Sequence, residues 1–399
     1  MKFNEYELGQ INIVIIDGDR GKNYPHQDEL LDEGDCVFLS ANNVTPSGFK
    51  FDSVVYITKE KDIILRNGKL NRNDIVITTR GTVGNVGLFD DSVPFSDIRI
   101  NSGMLIVRCG DGIDSRYLYY VLRGTKFQQQ LIQIRTGTAQ PQLPKSHFQR
   151  MKVELPPLET QQKIAQVLEA IDRKIKINEA INENLFQLVS AFYTSKIGTI
   201  VQPQASIGNY SEQIYSGGTP STSQHEYWGG ALHWFSSGET RNRFVITTEK
   251  TITQEGVDNS STKLAHKYDI VMASAGQGFT RGQTSMLLLD TYVNQSVIVI
   301  HADRLHLPYL FWNLTNRYEE LRAISDSSSI RGSLTTKMIS GFEVAGVTNQ
   351  ALQSFSDFAW PVIFEIEKNL LENERLTKLR DELLPKLMSG ELDVSALDL

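Results

Sequence analysis

The side chains in this chain that could do chemistry sit in two pairs of polar, glycine-bearing loops. In the first half one loop runs Thr78-Thr79-Arg80-Gly81-Thr82 through Asn85, and another runs Arg135-Thr-Gly-Thr-Ala-Gln-Pro-Gln-Leu-Pro-Lys145. The second half answers with Ser274 to Arg281, then Ser327-Ser-Ser-Ile-Arg-Gly-Ser-Leu-Thr-Thr-Lys337. Such side chains reach phosphate oxygens and base edges, with Arg suited to guanine and Gln or Asn to adenine. The candidate DNA contacts are therefore Thr79, Arg80, Thr82, Asn85, Arg135, Thr138, Gln140, Gln142 and Lys145 in the first half. In the second half they are Gln277, Thr280, Arg281, Ser329, Arg331 and Lys337. Gly, Ser and Thr also build turns for their own sake, so the composition of the loops leaves both roles open.

Bond-making chemistry has no comparable signature. The seven histidines are scattered, with no HExxH and no Cys/His cluster, so no metal site is expected. There is no GxSxG elbow and no Walker A lysine; Gly81-Thr-Val-Gly-Asn-Val-Gly87 lacks the GK[ST] ending of a phosphate cradle. No NPPY or DPPY tetrapeptide of the kind that amino-methyltransferases use to grip a flipped base is present.

Each loop needs a strand to carry it. INIVII, DCVFLSA, SVVYIT, KDIILR, NDIVITT and SGMLIVRC read as short strands over the first 155 residues, and a helix is expected from about Ser115 to Leu131. MKVELP reads as a last strand, and Pro156-Pro157 open a long helix. Residues 199–347 repeat the plan, with Asp269 in place of Asp74 and Asn294 in place of Asn101. EYWGGALHWFSSGE has no counterpart in the first half.

Two helices must hold these domains. Ile164, Leu168, Ile171, Ile175, Asn178, Asn182, Leu185, Val189 and Phe192 alternate by four and three residues, the seam of a helix packed lengthwise on a partner. Shifted by 191 residues, Phe355, Ala359, Val362, Ile366, Asn369, Asn373, Leu376, Arg380 and Leu383 fall on the same frame. A helix of ~38 residues is ~57 Å long. Antiparallel pairing lets the intervening segment leave and return at one end. That register places Asn178 opposite Asn373 and Asn182 opposite Asn369, around a rough two-fold axis. The expected fold class is α+β: two similar mixed α/β domains separated by an antiparallel two-helix coiled coil with pseudo-two-fold symmetry. The expected bounds are 1–155, 156–198 for the first spacer helix, 199–347, and 348–399 for the second with its tail.

Composition agrees with a folded, non-secreted protein. Charged residues make up 22% and hydrophobic ones 40%, no apolar run is long enough to span a bilayer, and the two cysteines form no disulfide framework. The start, MKFNEYELGQ, lacks a signal core, so a cytoplasmic location is expected. The net charge of −7 is unevenly spread: residues 108–152 carry eight Arg or Lys against Asp111 and Asp114, while residues 348–399 carry ten acids against five bases. A basic stretch beside an acidic helical tail is compatible with binding a polyanion.

Taken together, the chain resembles the specificity subunit of a type I restriction–modification system. The likeness lies in Leu155-Pro-Pro-Leu-Glu-Thr-Gln-Gln-Lys-Ile-Ala165 leading into the Asn-bearing heptads, and in the Thr-Gly-Thr-Ala-Gln-Pro loop. Gly218-Thr-Pro-Ser with Tyr227-Trp-Gly-Gly, and Leu384-Pro-Lys-Leu-Met-Ser-Gly390, extend it along the whole chain. The second helix departs from the pattern, entering through AGVTNQALQSF. The resemblance implies that each recognition domain reads one half of a split, asymmetric DNA sequence, about one helical turn (~34 Å) apart. It also implies two methyltransferase subunits, which use S-adenosylmethionine to methylate adenine, and restriction/translocase subunits, with no cofactor and no catalysis in this chain. The alternative is a self-sufficient DNA-modifying or cleaving enzyme; a two-headed protein adaptor is a third reading.

Overall fold

The structure is a computed structural model that describes residues 3–134, 142–197, 204–276, 279–327 and 332–394. It divides into two compact units, Met1–Ile175 with Arg375–Leu399, and Lys176–Glu374. The division runs through both long helices rather than at their ends.

In the first unit, strands β1 (Asn4–Glu7), β2 (Ile13–Asp17), β3 (Cys36–Leu39), β4 (Ile75–Thr78), β5 (Val86–Leu88), β6 (Ile98–Ile100), β7 (Met104–Cys109) and β8 (Lys152–Leu155) combine with helix α1 (Ser115–Arg123). The central sheet has the order β2-β7-β4-β5, with every neighbour antiparallel. Its strands read as unbroken apolar runs because both faces are covered. Ile75, Ile77, Leu105 and Val107 pack with Tyr117, Leu118, Ile164 and Leu168 on one side. Val76, Met104 and Ile106 pack with Val37, Leu39, Ile98 and Ile100 on the other. Side chains alternate across a strand, so one run feeds two cores, and each fully buried aliphatic contributes about 1.5–3 kcal/mol.

Helix α2 (Leu158–Lys196) crosses from the first unit into the second. There the plan recurs with β9 (Gln204–Ser206), β10 (Gln213–Ser216), β11 (Trp228–Phe235), β12 (Ile270–Ala273), β13 (Thr284–Leu287), β14 (Thr291–Val293), β15 (Val297–His301) and β16 (Glu343–Ala345), plus helices α3 (Leu307–Asn316) and α4 (Asn349–Met388). The sheet order β10-β15-β12-β13 matches the first unit, with Phe244–Val245 added at the edge. Ile270, Met272 and Ile300 face one core, and Val271, Val297 and Val299 the other.

The duplication extends to single hydrogen bonds. Asp74 and Asp269, both buried, each follow a residue with positive φ, Asn73 (70°) and Tyr268 (77°). Asp74 binds Arg108 through two bonds of 2.7 and 2.8 Å, whereas Asp269 binds His301 Nδ1 at 2.6 Å. Tyr117 Oη donates to Glu154 O, and Tyr309 Oη to Ala345 O.

The long helices pair antiparallel within each unit. In the second unit Asn178 Nδ2 donates to Asn373 Oδ1 at 2.8 Å and to Glu372 at 2.7 Å, and Asn369 Nδ2 donates to Asn182 Oδ1 at 2.9 Å. In the first unit Arg380, on the same seam, binds Asp172 at 2.8 Å, and Asp172 also accepts from Tyr120 Oη. Burial disfavours the Arg380 charge, yet its bond to Asp172 carries the net shift upward.

Two expected elements change. Lys61–Arg66 reads as a strand but lies largely in a helix, Lys59–Ile64. Thr58 Oγ1 caps it at Lys61 N (3.2 Å), and Asp62 within it pairs with Lys69 and Arg99, while Ile63 stays 72% exposed and gains nothing from a sheet. The helix expected over Ser115–Leu131 is broken at Gly124, which caps α1 before a second helix, Thr125–Ile134.

Candidate nucleic-acid interface

In the first unit the ends of β2 and β4 and the start of β7 converge, and a set of short bonds fixes the loops there. Thr79 N–H donates to Gly103 O (2.7 Å), and Leu143 N–H donates to Thr79 O (3.0 Å). Asn101 Oδ1 accepts from Gly103 N at 2.8 Å. Thr78 Oγ1 accepts from Asn85 N (3.0 Å) and donates to Thr82 O, while Gly84 N–H returns to Thr78 O. A β-carbon on Gly18 would lie 2.1 Å from Asn101 O, so only glycine lets these loops close together.

On this frame the candidate side chains separate by fate. Arg80 forms a backbone bridge with Gln142, and both are exposed; Arg80 makes no side-chain hydrogen bond to a described residue. Thr82 is also exposed. Asn85 turns inward, Nδ2 donating to Val44 O at 2.8 Å. Lys145 turns inward as well, Nζ donating to Ile15 O at 2.6 Å. Arg20 joins the exposed set: half-exposed, it touches Asp17 and Ser102 O at the same sheet end. Its signal in the sequence is Asp17-Gly-Asp-Arg-Gly21 directly after a strand. Asp19 stiffens that turn, accepting from Gly21 N and Arg66 N at 2.8 Å each, and the Gly21 bond above all holds its carboxyl below the ordinary range.

The second unit builds the same frame from other residues. Ser274 N–H donates to Ser296 O, Leu334 N–H to Ser274 O, and Asn294 Oδ1 accepts from Ser296 N. Gly282 N–H returns to Ala273 O as Gly84 N–H does to Thr78 O, which leaves eight residues in this loop against five in the first. Arg281 therefore stands where Val83 stands, not where Arg80 does. Its guanidinium is engaged by Asp326 (2.6 Å), Ser325 Oγ (3.3 Å) and Gly332 O, and only 17% of the side chain is exposed. Thr280 is half-buried and its carbonyl accepts from Gln283 N at 3.0 Å. Lys337 is exposed on the short helix Thr336–Ser340, where Thr336 holds the place of Lys145. Arg135, Thr138, Gln140, Gln277, Ser329 and Arg331 lie outside the described residues.

Among the described residues no group of three or more His, Cys, Asp or Glu converges as metal ligands would, and no helix is long and apolar enough to cross a membrane. Burial pushes the thiols of Cys36 and Cys109 up to about 12, which leaves neither as a thiolate nucleophile at neutral pH.

A family model described as the type I restriction modification DNA specificity domain matches residues 2–187. Over 346 residues the chain is 22% identical to the type I restriction enzyme HindI specificity subunit of Haemophilus influenzae, covering 67% of this chain and 74% of that one. It is 21% identical over 384 residues to the MjaIX specificity subunit of Methanocaldococcus jannaschii, covering 89% and 87%. The crystal structure of a type I restriction–modification S subunit from M. genitalium aligns with 97% of this chain and 96% of its own, at a TM-score of 0.57 and 15% identity. That structural likeness establishes the fold.

Proposed function

We propose that this chain, which carries the type I restriction–modification DNA specificity domain over residues 2–187, is the sequence-reading subunit of such a system. Each unit reads one half of a split, asymmetric target through the loops at its sheet end, and the paired helices set the unread gap. The observation that carries this reading is one loop frame built twice with different side chains. Thr79, Gly103 and Leu143 form it in the first unit, and Ser274, Ser296 and Leu334 in the second. A constant frame with variable occupants suits two readers of different sequences.

The chain itself is a reader and scaffold that works in the cytoplasm. Two methyltransferase subunits dock on it and supply S-adenosylmethionine-dependent adenine methylation, and restriction/translocase subunits join for cleavage. Exposed Arg80 and Arg20 would supply part of the phosphate contact, which makes affinity fall with salt. The test is purified chain with labelled S-adenosylmethionine and duplex DNA. Methyl transfer is expected only after partner subunits are added, and transfer by the chain alone would overturn the reading. DNA affinity independent of salt would favour the protein-adaptor alternative.

A further inference from the structure

Resting on the reading of the chain as a DNA-recognition subunit, we propose that Phe279 is a specificity-determining residue of the second unit, packing its ring on a thymine methyl in the major groove. Phe279 is 82% exposed, the most exposed large apolar side chain among the described residues. It stands in the loop between Ala273 and Gly282, at the end of the sheet where the first unit presents Arg80.

Two observations separate it from an incidental surface residue. Its backbone is held: Tyr318 Oη donates to Phe279 O at 2.6 Å, the next carbonyl, Thr280 O, accepts from Gln283 N at 3.0 Å, and Gly282 N donates to Ala273 O at 2.9 Å. The backbone from Phe279 to Gly282 is thus held at three points while the ring stays in solvent. In addition, the one arginine of this loop, Arg281, is turned into the protein, held by Asp326 and Ser325 Oγ, and its side chain is only 17% exposed. The loop is three residues longer than its counterpart; it exposes the apolar Phe279, whereas the first unit's loop exposes Arg80. Among the features that base pairs display in the major groove, the thymine methyl is the apolar one, and it is read by apolar contact.

The experiment is selection from a randomised duplex pool, using the full-length chain with its co-purifying subunits, for wild type, Phe279→Ala and Phe279→Leu. Wild type is expected to select a two-part sequence. Phe279→Ala should lose preference at one thymine-bearing position of a single half-site and bind the selected duplex roughly 5- to 150-fold more weakly, the range for one lost base contact. Phe279→Leu should retain part of the preference. Deoxyuridine in place of that thymine should weaken wild type by the same factor and leave Phe279→Ala unaffected. An unchanged selected sequence for Phe279→Ala, equal weakening on every duplex, or no effect of deoxyuridine would each overturn the assignment. If wild type selects no sequence at all, the recognition reading itself fails, a separate outcome that takes this inference with it.

Discussion

The side-chain amide of Asn178 donates to the carboxamide oxygen of Asn373 at 2.8 Å, and Asn369 repeats the bond to Asn182 at 2.9 Å. Two amide pairs on consecutive layers of one helix seam allow a single register, since any slip would leave buried amides facing hydrocarbon.

Asn178→Ala withdraws a donor from Asn373 and Glu372 and is expected to destabilise the second unit by about 1–3 kcal/mol. Asn182 Nδ2 is already buried without a partner. Replacing both Asn182 and Asn369 by Leu is therefore expected to leave stability unchanged or raised. Urea unfolding of the three proteins checks this; a neutral Asn178→Ala would show that the ladder does not hold the register.

Asp19 ties stability to pH. A carboxyl whose folded pKa is depressed contributes stability that is fully present above its unfolded value, about 3.9, and is lost as pH falls through the folded value. Asp19→Ala should cost roughly 1–3 kcal/mol at pH 7 and progressively less below about pH 4. Denaturant midpoints across that range provide the measurement, and a penalty independent of pH would assign the effect to packing.

The two loop arginines should behave differently despite similar sequence surroundings. Arg80→Ala is expected to weaken DNA binding and to lower the salt slope by about 1, with unfolding unchanged. Arg281→Ala removes one donor each from Asp326, which keeps Arg322, and from Gly332 O, which keeps Ser325 Oγ, and should lower stability by about 1 kcal/mol. Anisotropy titrations at several salt concentrations, paired with thermal unfolding, separate the two. Equal loss of binding with no loss of stability in both variants would contradict the placement.

Removing one heptad from each long helix is expected to keep the fold, because the seam repeats every seven residues, and to shorten the preferred gap between half-sites. Binding to duplexes that differ only in gap length reads this directly. An unchanged preference would place the spacer elsewhere.

What was legible in the sequence follows the range of the interactions. The helix seam is legible from spacing because a heptad frame is local; the antiparallel sense follows from the intervening segment leaving and returning at one end, and the two together pair all four asparagines. The duplicated Asp74/Asp269 and Asn101/Asn294 positions were legible for a related reason: each opens or precedes a strand whose apolar run marks the alignment. The fates of the loop side chains were not. Lys145 is drawn to Ile15 O, 130 residues away, and three extra residues move Arg281 to the place of Val83. Arg20 is not legible as a contact because its loop meets Ser102 only when β2 and β7 pair. The Lys59–Ile64 helix was hidden by two isoleucines that the fold leaves in solvent.

The central claim is that two units of one chain read two parts of one DNA site. Mapping methylated adenines in host cells with the chain and with it deleted tests that claim most directly. The expected result is one asymmetric two-part motif with a constant unread gap, methylated only when the chain is present. A continuous motif, or methylation unchanged by the deletion, would contradict it.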